Sequence, residues 1–91
     1  MSAYQFQEWT MRADMVDAVK RYVNDRLPPG DFLTAVICNN LSEAIGRADM
    51  DNMRNIPAIA AYFYNEVPTS AWGSKEKMQA WLHPSPREVT P

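Results

Sequence analysis

The chain has little of the chemistry from which disulfides, metal sites and most catalytic sites are made. Its 91 residues include one cysteine, Cys38, and one histidine, His83. A lone cysteine cannot form an intramolecular disulfide, and we expect Cys38 to act as a small buried apolar side chain. A closed zinc site needs several converging nitrogen and sulfur ligands, which these two residues cannot supply. The sequence therefore predicts no metal site and no cofactor.

Glycine and clustered positive charge are also scarce. The three glycines, Gly30, Gly46 and Gly73, lie far apart, so the chain has no glycine-rich loop of the kind that holds phosphates. The 9 Lys and Arg are scattered singly among 11 Asp and Glu, and the formal net charge is -2. Binding of duplex nucleic acid requires a basic face that neutralises several phosphates. The sequence predicts no such binding.

Long apolar segments are missing as well. The longest strongly apolar run, residues 56–64, is about half of what spans a bilayer. The first ten residues, MSAYQFQEWT, lack the basic segment followed by an apolar stretch that is typical of signal peptides. We therefore expect a cytoplasmic protein without membrane contacts.

What the chain does have is apolar residues at helical spacing, with a hydrophobic content of 46%. Three amphipathic patterns, each bounded by proline or glycine, indicate three helices. The three helices cover about residues 10–26, 32–46 and 56–67, and a short C-terminal helix covers 74–82. Residues 47–54 are expected to form a short helix or a kinked continuation of the second helix. The predicted fold class is all-α, a compact bundle of three to four main helices within residues 10–82, followed by a flexible tail, 83–91.

Residues 1–9 are predicted to form an aromatic arm. Tyr4 and Phe6 alternate with polar residues as in a strand, but no second strand is indicated to pair with them. We expect these side chains and Trp9 to pack on the domain or on a neighbouring subunit. A homo-oligomer, dimer or larger, would accommodate them and would stabilise a small domain.

Binding is predicted in preference to catalysis, because His83 has no partner at a spacing that implies a triad. Trp72 lies in a loop, where it either fills a gap between the last two helices or anchors a partner. Tyr62 falls outside the apolar pattern of its helix, so it either lies at the bundle edge or presents a stacking face. Asn40 and Arg47 belong to a polar strip that is either solvated or lines a pocket for a small anionic ligand.

Several segments of the chain resemble a group of short phage and prophage proteins. The similarity spans about residues 11–82 and is carried by residues 22–36, 44–49, 62–68 and 72–82. The resemblance implies a phage-type accessory protein in the host cytoplasm, and it assigns no functional residue. We therefore predict a non-enzymatic protein that binds and modulates or inhibits a host protein, with host defence proteins among the candidates. The alternative is a homo-oligomer that binds or sequesters a nucleotide signal through Tyr62, Trp72 and Arg47.

Overall fold

The computed structural model describes residues 3–83, which form a mostly helical fold with a small antiparallel sheet. The all-α prediction is therefore confirmed only in part. The elements are β1 (Tyr4–Phe6), β2 (Trp9–Met11), α1 (Ala13–Asp25), α2 (Asp31–Ile37), α3 (Leu41–Arg47), α4 (Met50–Arg54), α5 (Ile56–Glu66), a 3₁₀ turn (Thr69–Ala71) and α6 (Lys75–Leu82). The predicted tail lies outside the described residues except for His83, which follows α6.

The predicted N-terminal arm is a β-hairpin, and the expectation that no second strand exists was wrong. Phe6 pairs with Trp9 and Tyr4 with Met11, so the strands are joined by the two-residue loop Gln7-Glu8. Gln7 adopts a left-handed φ of 54°, as such tight hairpin loops require. The loop lacks the Asn-Gly or Asp-Gly sequence that usually indicates a two-residue hairpin loop, so the sequence does not predict the hairpin.

The hairpin also shortens the first predicted helix. Thr10 does not cap α1, because it lies in β2 and its backbone N–H donates to Asn55 Oδ1 at 2.9 Å. Helix α1 begins at Ala13 and ends at Asp25, where Arg26 takes up a left-handed φ of 59° before the two prolines. Its buried residues Val16, Val19 and Tyr22 recur every three positions and form one wall of the core.

The second predicted helix, 32–46, is two helices. Helix α2 ends at Ile37, and Asn39 adopts a left-handed φ of 61°, a conformation that asparagine tolerates better than most residues. Asn40 then caps α3, because its side-chain oxygen accepts from the Glu43 N–H at 3.1 Å. The two asparagines thus stop one helix and start the next.

The predicted short helix after Arg47 is confirmed as α4. Asp49 caps it by accepting from the Asn52 N–H at 2.7 Å. Helix α5 follows with Pro57 in its first turn, where the missing N–H of proline costs little. The side-chain oxygen of Asn55 accepts from the Thr10 N–H of β2 and does not cap the helix. Among the described residues, no helix is long and apolar enough to cross a membrane.

The C-terminal segment packs against the C-terminal part of α1. Ser74 caps α6, accepting from the Lys77 N–H at 3.1 Å. Tyr22 donates its hydroxyl to the Ala71 carbonyl at 2.7 Å, and the Trp81 indole donates to the carbonyl of Tyr22 at 3.1 Å. Arg26 lies over the Trp81 ring, 4.1 Å from its centroid. The largest fully buried side chains around this framework are Tyr22, Phe63, Met11, Ile37, Ile59 and Val19.

Candidate functional site

The aromatic residues predicted to bind a partner at the N-terminus pack inside the chain. Cross-strand pairing and the two-residue period of a strand place Tyr4, Phe6, Trp9 and Met11 on one face of the hairpin. That face contacts the core, and the first three side chains are partly buried there. The Phe6 and Trp9 rings stack with centroids 6.4 Å apart. These residues therefore need no second subunit to cover them.

Tyr62 belongs to the core, contrary to its predicted place outside the apolar pattern. It is 7% exposed, and its ring packs edge-to-face with the rings of Tyr4 and Phe63, with centroids 5.1 Å and 6.3 Å apart. Burial raises the pKa of its phenol, and the negative charges of Glu66 and Asp17 act in the same direction. The hydroxyl is therefore neutral over the physiological range.

Arg47 and Asn40, the predicted polar strip, have partners within the chain. Arg47 Nε donates to Glu43 at 2.8 Å, and its Nη1 lies 3.2 Å from an Asp31 carboxylate oxygen. The hydrogen bond with Glu43 and the charges of both carboxylates raise the pKa of Arg47. Asn40 uses its side-chain oxygen as the cap of α3. Within residues 3–83, Arg47 makes its side-chain hydrogen bonds with Glu43 and Asp31 and does not line the groove that contains Trp72.

Trp72 is half-buried, with its ring centroid 5.4 Å from that of Phe63. Its indole nitrogen is buried and has no hydrogen-bond partner within residues 3–83. One edge of the side chain lines a surface groove. Trp72 therefore fills a gap in the core and also forms part of the surface.

This groove, which we call the α3–α5 groove, has a volume of about 120 Å³ and runs between α2, α3 and α5. Apolar side chains make up most of its walls, and Asn39 and Asn40 are its only polar lining residues. Its lining residues are Phe32, Val36, Asn39, Asn40, Leu41, Ala44, Ile56, Ile59, Ala60 and Trp72. Trp72 and Asn40 are thus the predicted site residues that line this groove.

The chain matches no known protein family, no curated protein and no solved structure. Its similarity to phage proteins therefore stays a prediction.

The large hydrophobic side chains that are exposed to solvent are concentrated on α3 and α4. Leu41, which lines the groove, is 64% exposed, and Ile45 lies one turn further along α3 and is also exposed. On α4, Met50 is 77% exposed and Met53 is partly so. The sequence pattern assigned Leu41 and Ile45 to the core because it treated 32–46 as one helix. The break at Asn39 rotates α3, so that only Ala44 of this helix is buried.

A second cavity, of about 360 Å³, opens between α1 and α5. It is more polar than the groove, and it contains one predicted site residue, Tyr62. The lining residues are Lys20, Val23, Asn24, Tyr62, Glu66 and Val67. None of the other five was singled out from the sequence, since charged residues in amphipathic helices are usually solvated.

One cluster of carboxylates surrounds Arg12. The guanidinium lies 3.0 Å from Asp14, 3.5 Å from Asp49 and 3.4 Å from Asp51, and so links the start of α1 to α4. Hydrogen bonding to Arg12 lowers the pKa of Asp14. Within residues 3–83 no group of three His, Cys, Asp or Glu side chains is arranged to hold a metal ion.

Proposed function

We propose that this chain is a non-enzymatic protein-binding domain that docks on a partner protein through the α3–α5 groove and the adjoining apolar surface of α3 and α4. One observation carries the proposal. Of the six large hydrophobic residues exposed between residues 3 and 83, four lie on these two short, consecutive helices. Concentrated apolar exposure of this kind is typical of interaction sites, whereas isolated exposed residues are not.

The energetics of such a surface favour a protein partner. Full burial of one Leu, Ile or Met side chain contributes about 1.5–3 kcal/mol. Several such contacts are needed to offset the free-energy cost of the entropy that is lost on association. The two methionines add side chains that adapt to the shape of a partner, and the groove beside Leu41 offers a recess for an apolar anchor.

The partner that we propose is a host protein in the host cytoplasm, because the chain resembles short phage and prophage proteins. Binding would modulate or inhibit that protein, with defence proteins among the candidates. Self-association of this chain into a homo-oligomer belongs to the same proposal, since two copies can bury the same apolar surface. Tyr4, Phe6 and Trp9 pack on the core, so the stabilisation of a small domain is the remaining reason from sequence for expecting an oligomer.

The nucleotide-binding alternative has less support. Arg47 is paired with two carboxylates. Tyr62 is only 7% exposed and packs against Tyr4 and Phe63, so little of its ring is available to stack on a base. Trp72 is the one member of that trio with part of its surface in a groove.

Co-purification with a matched pair of variants tests the protein-binding proposal. Leu41→Lys places a charge in the wall of the groove, whereas Leu27→Lys changes a leucine of similar exposure (50%) in the connection between α1 and α2. Tagged wild-type chain is expressed in candidate host bacteria, and proteins retained in stoichiometric amounts are identified by mass spectrometry.

We expect a host protein to be retained by the wild-type chain and by Leu27→Lys, and to be lost with Leu41→Lys. Retention by all three would place the interface elsewhere. If no partner is retained in any host, sedimentation of the purified chain decides whether the surface is buried between copies. A monomer without partners would contradict the proposal.

A further inference from the structure

The cavity between α1 and α5 has features of a small-molecule site that the proposed protein-binding function does not use. Its volume of about 360 Å³ lies in the range of small-ligand pockets. Two valines, Val23 and Val67, form its apolar part, and polar or charged groups of both helices surround them.

Tyr62 lines this cavity and carries a hydroxyl without a partner in the described part of the fold. The residue is 7% exposed, yet its hydroxyl makes no hydrogen bond within residues 3–83. The only fully buried side-chain polar atom without a partner in this part of the chain is the indole nitrogen of Trp72. The Tyr62 hydroxyl is therefore not fully buried, and Tyr62 is one of the residues that line the cavity.

The cavity also contains two opposite charges that do not pair. Lys20 of α1 and Glu66 of α5 both line it, but no ion pair joins them, although five ion pairs occur elsewhere in residues 3–83. Both side chains are exposed to solvent, so each is accessible to an opposite charge on a ligand that enters the cavity. Asn24 adds an amide that is able to donate and to accept.

We infer that this cavity binds a small zwitterion with one carboxylate and one ammonium group, the chemistry of a free α-amino acid with an apolar side chain. The carboxylate binds Lys20 and accepts from the Tyr62 hydroxyl, the ammonium group binds Glu66, and the apolar side chain packs on Val23 and Val67. A simple anion is repelled by Glu66 and a simple cation by Lys20, whereas a zwitterion satisfies both charges.

Titration of the full chain with amino-acid probes tests this inference. The amide signals of residues 20–24 and 62–67 are followed by NMR while L-leucine, L-isoleucine, L-valine, L-methionine or L-phenylalanine is added. For the best probe, the N-acetyl derivative lacks the positive charge and the amide derivative lacks the negative one. We expect each derivative to bind about tenfold more weakly, because each loses one charge-assisted hydrogen bond.

Two variants and one control locate the site. Tyr62→Phe removes only the hydroxyl and Lys20→Met only the charge, whereas Lys75→Met removes the charge of an exposed lysine on α6. We expect both cavity variants to weaken binding several-fold, with an unchanged circular dichroism spectrum, and the control to have no effect. The inference is overturned if no probe shifts these amides, if the neutralised derivatives bind equally well, or if Lys20→Met behaves as the control does. Full affinity of Tyr62→Phe would contradict it as well. None of these outcomes depends on the co-purification experiment.

Discussion

The N-terminal hairpin and the α3–α4 pair arrange their apolar side chains in opposite ways. The hairpin turns Tyr4, Phe6, Trp9 and Met11 towards α5 and leaves Gln5 on the outside. It is also fixed by contacts distant in sequence, such as the bond from the Thr10 N–H to Asn55. Helices α3 and α4 instead bury one residue each, Ala44 and Asn52, and leave their large hydrophobic residues in solvent.

In the hairpin, the aromatic side chains serve to pack the strands on the rest of the fold. A two-stranded hairpin is barely stable alone, so its aromatic side chains are needed to hold it on the helices. Helices α3 and α4 each have a side-chain cap and one buried residue, and their exposed Leu, Ile and Met side chains contribute little to the fold. These exposed side chains form the surface that we propose for a partner.

The largest expected effect comes from comparing Phe63→Ala with Leu41→Ala. Phe63 is fully buried and packs against Tyr62 and Trp72, so its truncation should lower the free energy of unfolding by about 3–5 kcal/mol. Leu41 is mostly exposed, and its truncation should change stability by less than about 1 kcal/mol. Urea denaturation followed by tryptophan fluorescence measures both. Similar losses for the two variants would mean that α3 is an integral part of the core.

A smaller effect is expected for Tyr22→Phe, at the junction of α1 and the C-terminal segment. The Tyr22 hydroxyl donates to the Ala71 carbonyl at 2.7 Å, and its loss leaves that acceptor unpaired, at a cost of about 1–3 kcal/mol. Burial raises the pKa of Tyr22 to about 12. Since the folded state holds this proton more tightly than the unfolded state, with its pKa of about 10, the wild-type chain should lose stability as pH rises from about 10 to 12.

Tyr22→Phe serves as the control for this pH dependence of the wild-type chain. The variant lacks the hydroxyl that titrates, so its stability should fall less steeply than that of the wild-type chain over the same range, by up to about 1.4 kcal/mol per pH unit. Chemical denaturation at pH 9, 10 and 11 gives the two slopes. Parallel slopes would show that Tyr22 is not protected from ionisation by the fold.

The helical character of the chain could be predicted from sequence because it depends on local patterns. Ser74 before α6, Asp49 before α4 and Pro57 in the first turn of α5 act as their residue types favour. The hairpin could not be predicted, since its loop, Gln7-Glu8, has no glycine or asparagine and the strands are three residues long. Their stability comes from packing on α5, a contact that no local pattern reveals.

The candidate site was less predictable, and the reason is a single backbone conformation. The left-handed φ of Asn39 divides one apolar pattern into two helices and rotates Leu41 and Ile45 into solvent. An asparagine pair inside a helical pattern is the signal that marked this break, because asparagine favours caps and turns over helix interiors. The cavity between α1 and α5 depends on how two helices far apart in sequence pack together. Of its lining residues, only Tyr62 was predicted as a site residue.

The smallest expected effect concerns the ion pairs that hold α4 to the start of α1. Arg12 contacts Asp14, Asp49 and Asp51, but all four side chains are between 40% and 69% exposed, so Arg12→Met should cost no more than about 1 kcal/mol. Because pairing lowers the pKa of Asp14 below its ordinary value of about 4, the contribution is present above that pH and is lost as pH falls below it. The difference between wild type and Arg12→Met, measured by urea denaturation, should therefore shrink at pH 3 and in high salt. A loss of several kcal/mol that salt does not reduce would mean that α4 is fixed to α1 as firmly as the hairpin is to α5, and the contrast between the two regions would disappear.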